Sequence, residues 1–449
     1  MSTQIKRIGT WIKFSIIFLL VVGGTLALVA YGQGYLYDRE SGSIISGGLV
    51  LIDSEPNRAS VSVGGSTIGS TPQRLRRPIG EYDIVLSRDG YRSWHKRVHI
   101  EEGSLINAEY PFLIPNNVVT TTMLRLNQPQ LLSQSPDAEF IVFVDGHTGD
   151  ELRLVNIDSN DSVVAFSLNE SGYTGADILD IEWSKQSDWA FLHIDYEGGR
   201  RALLLEADSS QFTLIDDYQI DEPRNIEFGP DETVYLLDGS QLIVQEVGAE
   251  ISTIAAENVR SFGASTDAVF YITNDNEVFR VGSAREEPLH RLGRSSTVDI
   301  DTLTYRDERT VLLHNRDTQQ LSLLRESDQY RTTTLPLRKT ETISISPSQR
   351  FIVSYNGSRF MTYDLRTDDL YEFSLDDEPS TSLSWFSNHH MLMSISGGAV
   401  MMEFDGANIE HITTDSGFGV FGYRDDLYVY SIGVNTVTDQ PVLQRSLLE

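Results

Sequence analysis

The chain contains no cysteine, five lysines against thirty arginines, and 35 basic residues against 65 acidic ones. Without cysteine there is no disulfide framework, no thiolate nucleophile and no zinc–thiolate site. Stability must come from core burial, for which 449 residues are ample. Four signatures are also missing: Gly-x-Ser-x-Gly, His-Glu-x-x-His, the phosphate loop and the dinucleotide fingerprint. Their absence, with no α/β region to hold a nucleophile elbow, removes the usual hydrolase and nucleotide-binding readings. No catalytic, cofactor or metal role is assigned to any residue.

Long apolar runs are nearly absent too; there is one. From Ile16 to Ala30 the chain is Ile, Phe, Leu, Val, Gly and Ala, with Thr25 the single hydroxyl. Lys6, Arg7 and Lys13 precede it, and Tyr31, Tyr35 and Tyr37 follow at the level favoured by interfacial rings. The run is slightly long for a signal-peptide core. It is therefore expected to be a single-pass anchor over 12–32, with 1–11 cytoplasmic and the bulk extracytoplasmic. Membrane lipid is an expected partner through that single anchor.

The charge is unevenly placed. Residues 58–97 carry eight basic and three acidic side chains, whereas from 98 onward 23 basic residues face 58 acidic ones. Phosphate binding needs a positive footprint, so nucleic acid is not an expected partner of so acidic a body.

In chain order, the glycine- and serine-rich stretch 33–48 reads as a linker, with Ser43–Ser46 as an alternative edge strand. Residues 49–115 then read as strand and turn throughout. Leu49-Val-Leu-Ile ends before Pro56, Ala59-Ser-Val-Ser-Val runs into Gly64-Gly65, Tyr82, Ile84 and Leu86 alternate with Asp83, Val85 and Ser87, and Asp89-Gly90 is a tight turn. The expected form is a small β-sandwich. Ser54, Pro56, Ala59, Val61, Val63, Gly65, Gly69, Thr71-Pro72, Pro78, Gly80, Tyr82, Ile84, Val85 and Gly90-Tyr91 together resemble the PEGA domain, whose naming motif is present only as Pro78-Ile-Gly-Glu. The resemblance implies a non-enzymatic module of surface and envelope proteins.

Residues 116–449 repeat one pattern eight times: a turn, then a strongly apolar strand. The turns begin at Ser135, Ser184, Gly229, Gly263, Tyr305, Ser346, Ser387 and Gly422, and the strands include Phe140-Ile-Val-Phe-Val, Trp189-Ala-Phe-Leu-His and Phe351-Ile-Val-Ser-Tyr. Four-stranded units at this spacing, without helices between them, argue for a β-propeller, since no blade can bury both faces alone. The eighth unit lacks a fourth strand, which Val118 to Leu126 could supply. Eight blades are expected, with seven the alternative. The turn-and-strand pattern is similar to the propellers of Tol-associated proteins and prolyl oligopeptidase-type peptidases. The fold class is thus all-β after the helix.

Candidate sites are few. Arg74, Arg76, Arg77, Arg88, Arg92, Lys96 and Arg97 form a possible cationic surface for anionic head groups or wall polymers. His389-His390 is a weak metal pair, His193 and His314 read as structural, and Asp158–Asp161 and Asn274–Glu277 read as hairpin turns lacking a calcium loop. The expected function is a non-enzymatic binding or scaffold protein of the cell envelope, presenting its propeller to a protein or wall polysaccharide. The alternative is a polysaccharide lyase or glycosidase with its site in the propeller channel.

Overall fold

The computed structural model describes residues 16–25, 28–29, 35–38 and 43–449, apart from 128, 137–139, 146–150, 157–161, 185, 209–210, 250, 284–286, 294–297, 306–307, 339–341, 380–382, 397, 414–419, 424–426 and 435–439. The chain divides into two compact units, residues 1–118 with 449, and residues 119–448.

The N-terminal expectation is corrected here. Among the described residues no helix is long and apolar enough to cross a membrane. Residues 16–25 are helical, and ten residues rise about 15 Å, half of a hydrocarbon core of about 30 Å. Gly23 and Gly24 within it are poor helix formers, and the Thr25 hydroxyl bonds the Val21 carbonyl at 2.8 Å. Residues 12–15, 26–27 and 30–32 of the expected span lie outside the described residues. The transmembrane helix, and the single-pass placement built on it, therefore have no support.

The first unit is a sandwich of two four-stranded sheets. One holds β1 (Tyr35–Asp38), β2 (Ser43–Ile52), β5 (Gln73–Pro78) and β8 (Leu105–Ala108); the other holds β3 (Ser60–Val63), β4 (Ser66–Ser70), β6 (Gly80–Ser87) and β7 (Trp94–Ile100). Ser43–Ser46, within the stretch expected as a linker, is the first part of β2 and pairs with β1. Alternation decides what is inside: Val50, Ile52, Leu75, Ile84, Leu86, Trp94, Val98 and Ile100 meet in one core. At one end the Ser54 and Thr71 hydroxyls bond each other at 2.8 Å, and the Ala59 amide donates to Thr71.

The second unit is built of eight four-stranded antiparallel sheets. Blades 1 to 7 occupy residues 129–167, 177–220, 226–257, 259–291, 298–338, 342–374 and 384–413. Blade 8 takes Val420–Tyr423, Tyr428–Val434 and Pro441–Leu447, and β9 (Val119–Arg125) pairs with the last of these as its fourth strand. The two ends of the unit are thus laced into one sheet.

Packing closes the ring. Odd and even residues of each second strand face opposite neighbours, so Phe140, Val142 and Val144 pack on blade 2 while Ile141 and Phe143 pack on blade 8. Further clusters join blades 2 and 3, 3 and 4, 4 and 5, 5 and 6, and 6 and 7. Between blades 7 and 8 the Ser384 hydroxyl donates to the Val420 carbonyl at 2.7 Å. This is a β-propeller.

The recurring turn serine has a structural task. Ser135, Ser184 and Ser346 are buried, and each hydroxyl accepts the amide of the residue five further on, at 3.0, 3.1 and 3.0 Å. Each serine amide also donates to that residue's carbonyl. The first strands, next to these turns, lie innermost and are pinned to one another. Trp183 donates to the Ser133 hydroxyl at 3.1 Å, Trp385 to Ser344 at 2.9 Å, and Thr302 to the Gly263 carbonyl at 2.8 Å.

Candidate functional site

A cavity of about 60 Å³ opens among the first strands of blades 3, 4 and 5, with Glu222, Arg224, Arg260, Asp299 and Arg316 in its wall. Blade 3 enters it through the short turn Pro223–Asn225, which leads into Ile226–Phe228. Blade 4 contributes Val259–Ala264, whose pairing with Val269–Thr273 skips from Val259↔Thr273 to Ser261↔Ile272. Arg260 is therefore the extra residue of a β-bulge, a feature that re-aims a side chain. Blade 5 contributes Val298–Tyr305. Gly263 lets the last two strands approach, because a Cβ there would lie 2.9 Å from the Ile300 carbonyl oxygen and 3.1 Å from the Asp301 Cα.

Two of the three arginines in the wall are neutralised. Arg316 donates from Nε to Asp299 at 2.6 Å and lies 3.9 Å from Glu222, and the Asp299 bond holds its proton more tightly than usual. Asp299 also has His314 at 3.5 Å. Arg224 lies 3.9 Å from Asp301. Arg260 differs: its Nη1 donates to the Asn276 side chain at 2.7 Å, but Nε and Nη2 are shielded from solvent and have no acceptor among the described residues. Burial lowers the pKa of this guanidinium, against a smaller opposing pull from Asp299.

Beside the cavity stands a set of carboxylates. Glu227, on the blade 3 inner strand, accepts the Ala264 amide of blade 4 at 2.5 Å. Its pKa is raised well above the ordinary value, chiefly by burial and further by Asp301 and Glu182, while the Ala264 bond and Arg224 oppose the shift. The residue as a whole is half-buried. Among the described residues no group of three or more His, Asp or Glu is placed to hold a metal ion.

The seven cationic residues singled out in the sequence fall in three places. Leu75 points into the core, so by alternation Arg74 and Arg76 share the outer face of β5 and Arg77 lies on Leu75's side. Arg97 is on the outer face of β7, in the other sheet, where it pairs with Asp83 at 2.8 Å. Lys96 shares the parity of buried Trp94 and Val98 and lies over the Tyr110 ring at 5.7 Å. Arg88 donates to the Asn57 carbonyl at 2.6 Å and lies over Tyr91, and the Arg92 amide donates to the Ile114 carbonyl. Arg74 and Arg76 are thus brought together, whereas Arg97 is on a different sheet.

The histidine pair diverges. His389 packs edge-on against Phe351 and Phe404 beside Arg350, while buried His390 meets the Ser387 hydroxyl at 2.8 Å. His193 and His314 are buried, with Glu182 and Asp299 at 3.6 and 3.5 Å. Asn274–Glu277 is a hairpin turn tied to Thr273 and Asn258, and Asp158–Asp161 lies outside the described residues. The cavity itself was missed in the sequence. Its signal was a charged residue, Arg260, set between the apolar residues of the short run Val259-Arg-Ser-Phe262.

Residues 47–113 match the model of the PEGA domain; this chain carries one. No curated protein matches the chain. Among solved structures it is similar to the Myceliophteria thermophila Cps50 (Swd1) beta-propeller domain, with 9% identity, 73% of this chain and 99% of that one covered, and a TM-score of 0.39. It is similar to Kluyveromyces lactis Hsv2, with 10% identity, 72% and 100% coverage and a TM-score of 0.40. It is also similar to Porphyromonas gingivalis dipeptidyl peptidase 4, with 11% identity and a TM-score of 0.44, covering 72% of this chain and 58% of the peptidase. The propeller assignment stands on the closed ring of eight sheets rather than on likeness at this level.

Proposed function

We propose that this chain is a non-enzymatic binding protein whose propeller receives a protein or polysaccharide partner at the cavity between blades 3 and 5. The observation that supports this is the wall of that cavity, where three arginines and two carboxylates converge on space large enough for a small group. Such convergent polar groups in a concave site orient a ligand. The PEGA domain, as a β module without catalytic motifs, fits a scaffold role beside it.

A second reading draws on Glu227. A carboxyl group whose pKa is raised by burial and by nearby carboxylates, here Asp301 and Glu182, is the arrangement a glycosidase uses for its general acid. An oligosaccharide array probed with the full chain separates the two. Retention of glycans at unchanged length supports binding, and shortened glycans that persist on incubation support the enzyme. Retention that is indifferent to the double variant Arg224→Glu, Arg316→Glu would remove the cavity from either reading.

A further inference from the structure

We infer that the cavity takes a carboxylate monoanion and that Arg260 is the residue that binds it. The inference rests on the binding reading above and specifies its ligand. In this chain of net charge −30, a shielded guanidinium edge without a hydrogen-bond acceptor is unusual. Arg316 has Asp299 and Glu222, and Arg224 has Asp301. Among the described residues the Nε and Nη2 of Arg260 have no acceptor. A dehydrated, unpaired N–H edge on a charged group costs folding free energy, and the bulge at Arg260 holds that cost in place.

The two N–H groups on that edge are coplanar and parallel, which matches the two in-plane oxygens of a carboxylate. Asp299 and Glu222 in the same wall repel a second negative charge, so a dianion such as phosphate is disfavoured. The cavity is open on one side, so a carboxylate seated in it leaves the rest of its ligand outside. Binding turns the free edge of Arg260 from the covering wall to the anion, while the Nη1 bond to Asn276 serves as the pivot.

The test is calorimetric titration of the full chain with acetate, glucuronate, N-acetylglycine, methyl sulfate and inorganic phosphate. One carboxylate should bind saturably with a stoichiometry near one, more tightly than methyl sulfate or phosphate. Glucuronate ahead of N-acetylglycine indicates a sugar acid, and the reverse indicates a peptide terminus. Arg260→Gln should weaken binding at least tenfold, and Arg260→Lys, which keeps the charge and loses the fork, nearly as much. A crystal of the unmutated chain soaked with the tighter ligand should show the carboxylate on Arg260, independently of whether either variant folds. No saturable carboxylate binding, phosphate as the tighter ligand, or a carboxylate lodged elsewhere overturns the inference. If glycans or a protein are still retained through Arg224 and Arg316 in that case, the binding reading stands and only its ligand class falls.

Discussion

The two units spend their arginines differently. In the PEGA domain Arg97 meets Asp83 with 71% and 61% of the two side chains exposed. In the propeller Arg350 meets Asp364 with 18% and 1% exposed, through two parallel N–H···O bonds. Contact geometry is similar, but water screens the first pair and is excluded from the second. Burial therefore decides what an ion pair is worth, and Arg260, with Nε and Nη2 shielded but without an acceptor among the described residues, is the arginine on which the proposed ligand depends.

The largest test of this contrast is Asp364→Ala, which leaves the Arg350 guanidinium buried without its partner. It should cost about 3–5 kcal/mol in urea-induced unfolding of the full chain. A cost near zero would mean that burial does not set the scale. Next comes Gly263→Ala, whose added methyl meets the backbone of blade 5 rather than a movable side chain. It should cost about 1–3 kcal/mol and also weaken ligand retention at the cavity, read in the same titrations.

Smaller and pH-dependent is Glu227→Gln. Because its folded-state pKa lies above that of the unfolded chain, the native protein holds a proton that the unfolded chain releases above about pH 4.3. Stability from this group is therefore present in acid and falls as pH rises toward the folded value. The variant should be more stable than the parent at pH 8, with the gap closing toward pH 4, in parallel thermal melts. A constant gap would remove Glu227's proton from the account. The smallest effect is expected of Arg97→Gln, which should leave the melting temperature unchanged at physiological salt, since exposed pairs contribute little.

Much of the architecture was legible because it is local. Alternation set Tyr82, Ile84 and Leu86 on one face, the last two of which are core, and the turn residues from Ser135 to Gly422 precede the second strands of eight sheets. The serine in several of those turns is there to bridge five residues with its own hydroxyl and amide, an interaction written within six residues. The N-terminal run shows the limit of composition: apolar content between Ile16 and Ala30 did not imply a helix of spanning length. The seven cationic residues show another, because parity sends Arg74 and Arg76 outward from one sheet and Arg97 outward from the other.

What the order of residues determined by itself was every property with a range of a few positions: strand period, turn chemistry, the repeat and the lopsided charge. The ring then decided which distant side chains share a space. Arg260 faces Asp299 and Arg316 only because three inner strands, separated by dozens of residues, are drawn together when each blade buries both faces against its neighbours. Such proximity depends on long-range closure, and its energy comes from packing the whole unit rather than from any one segment.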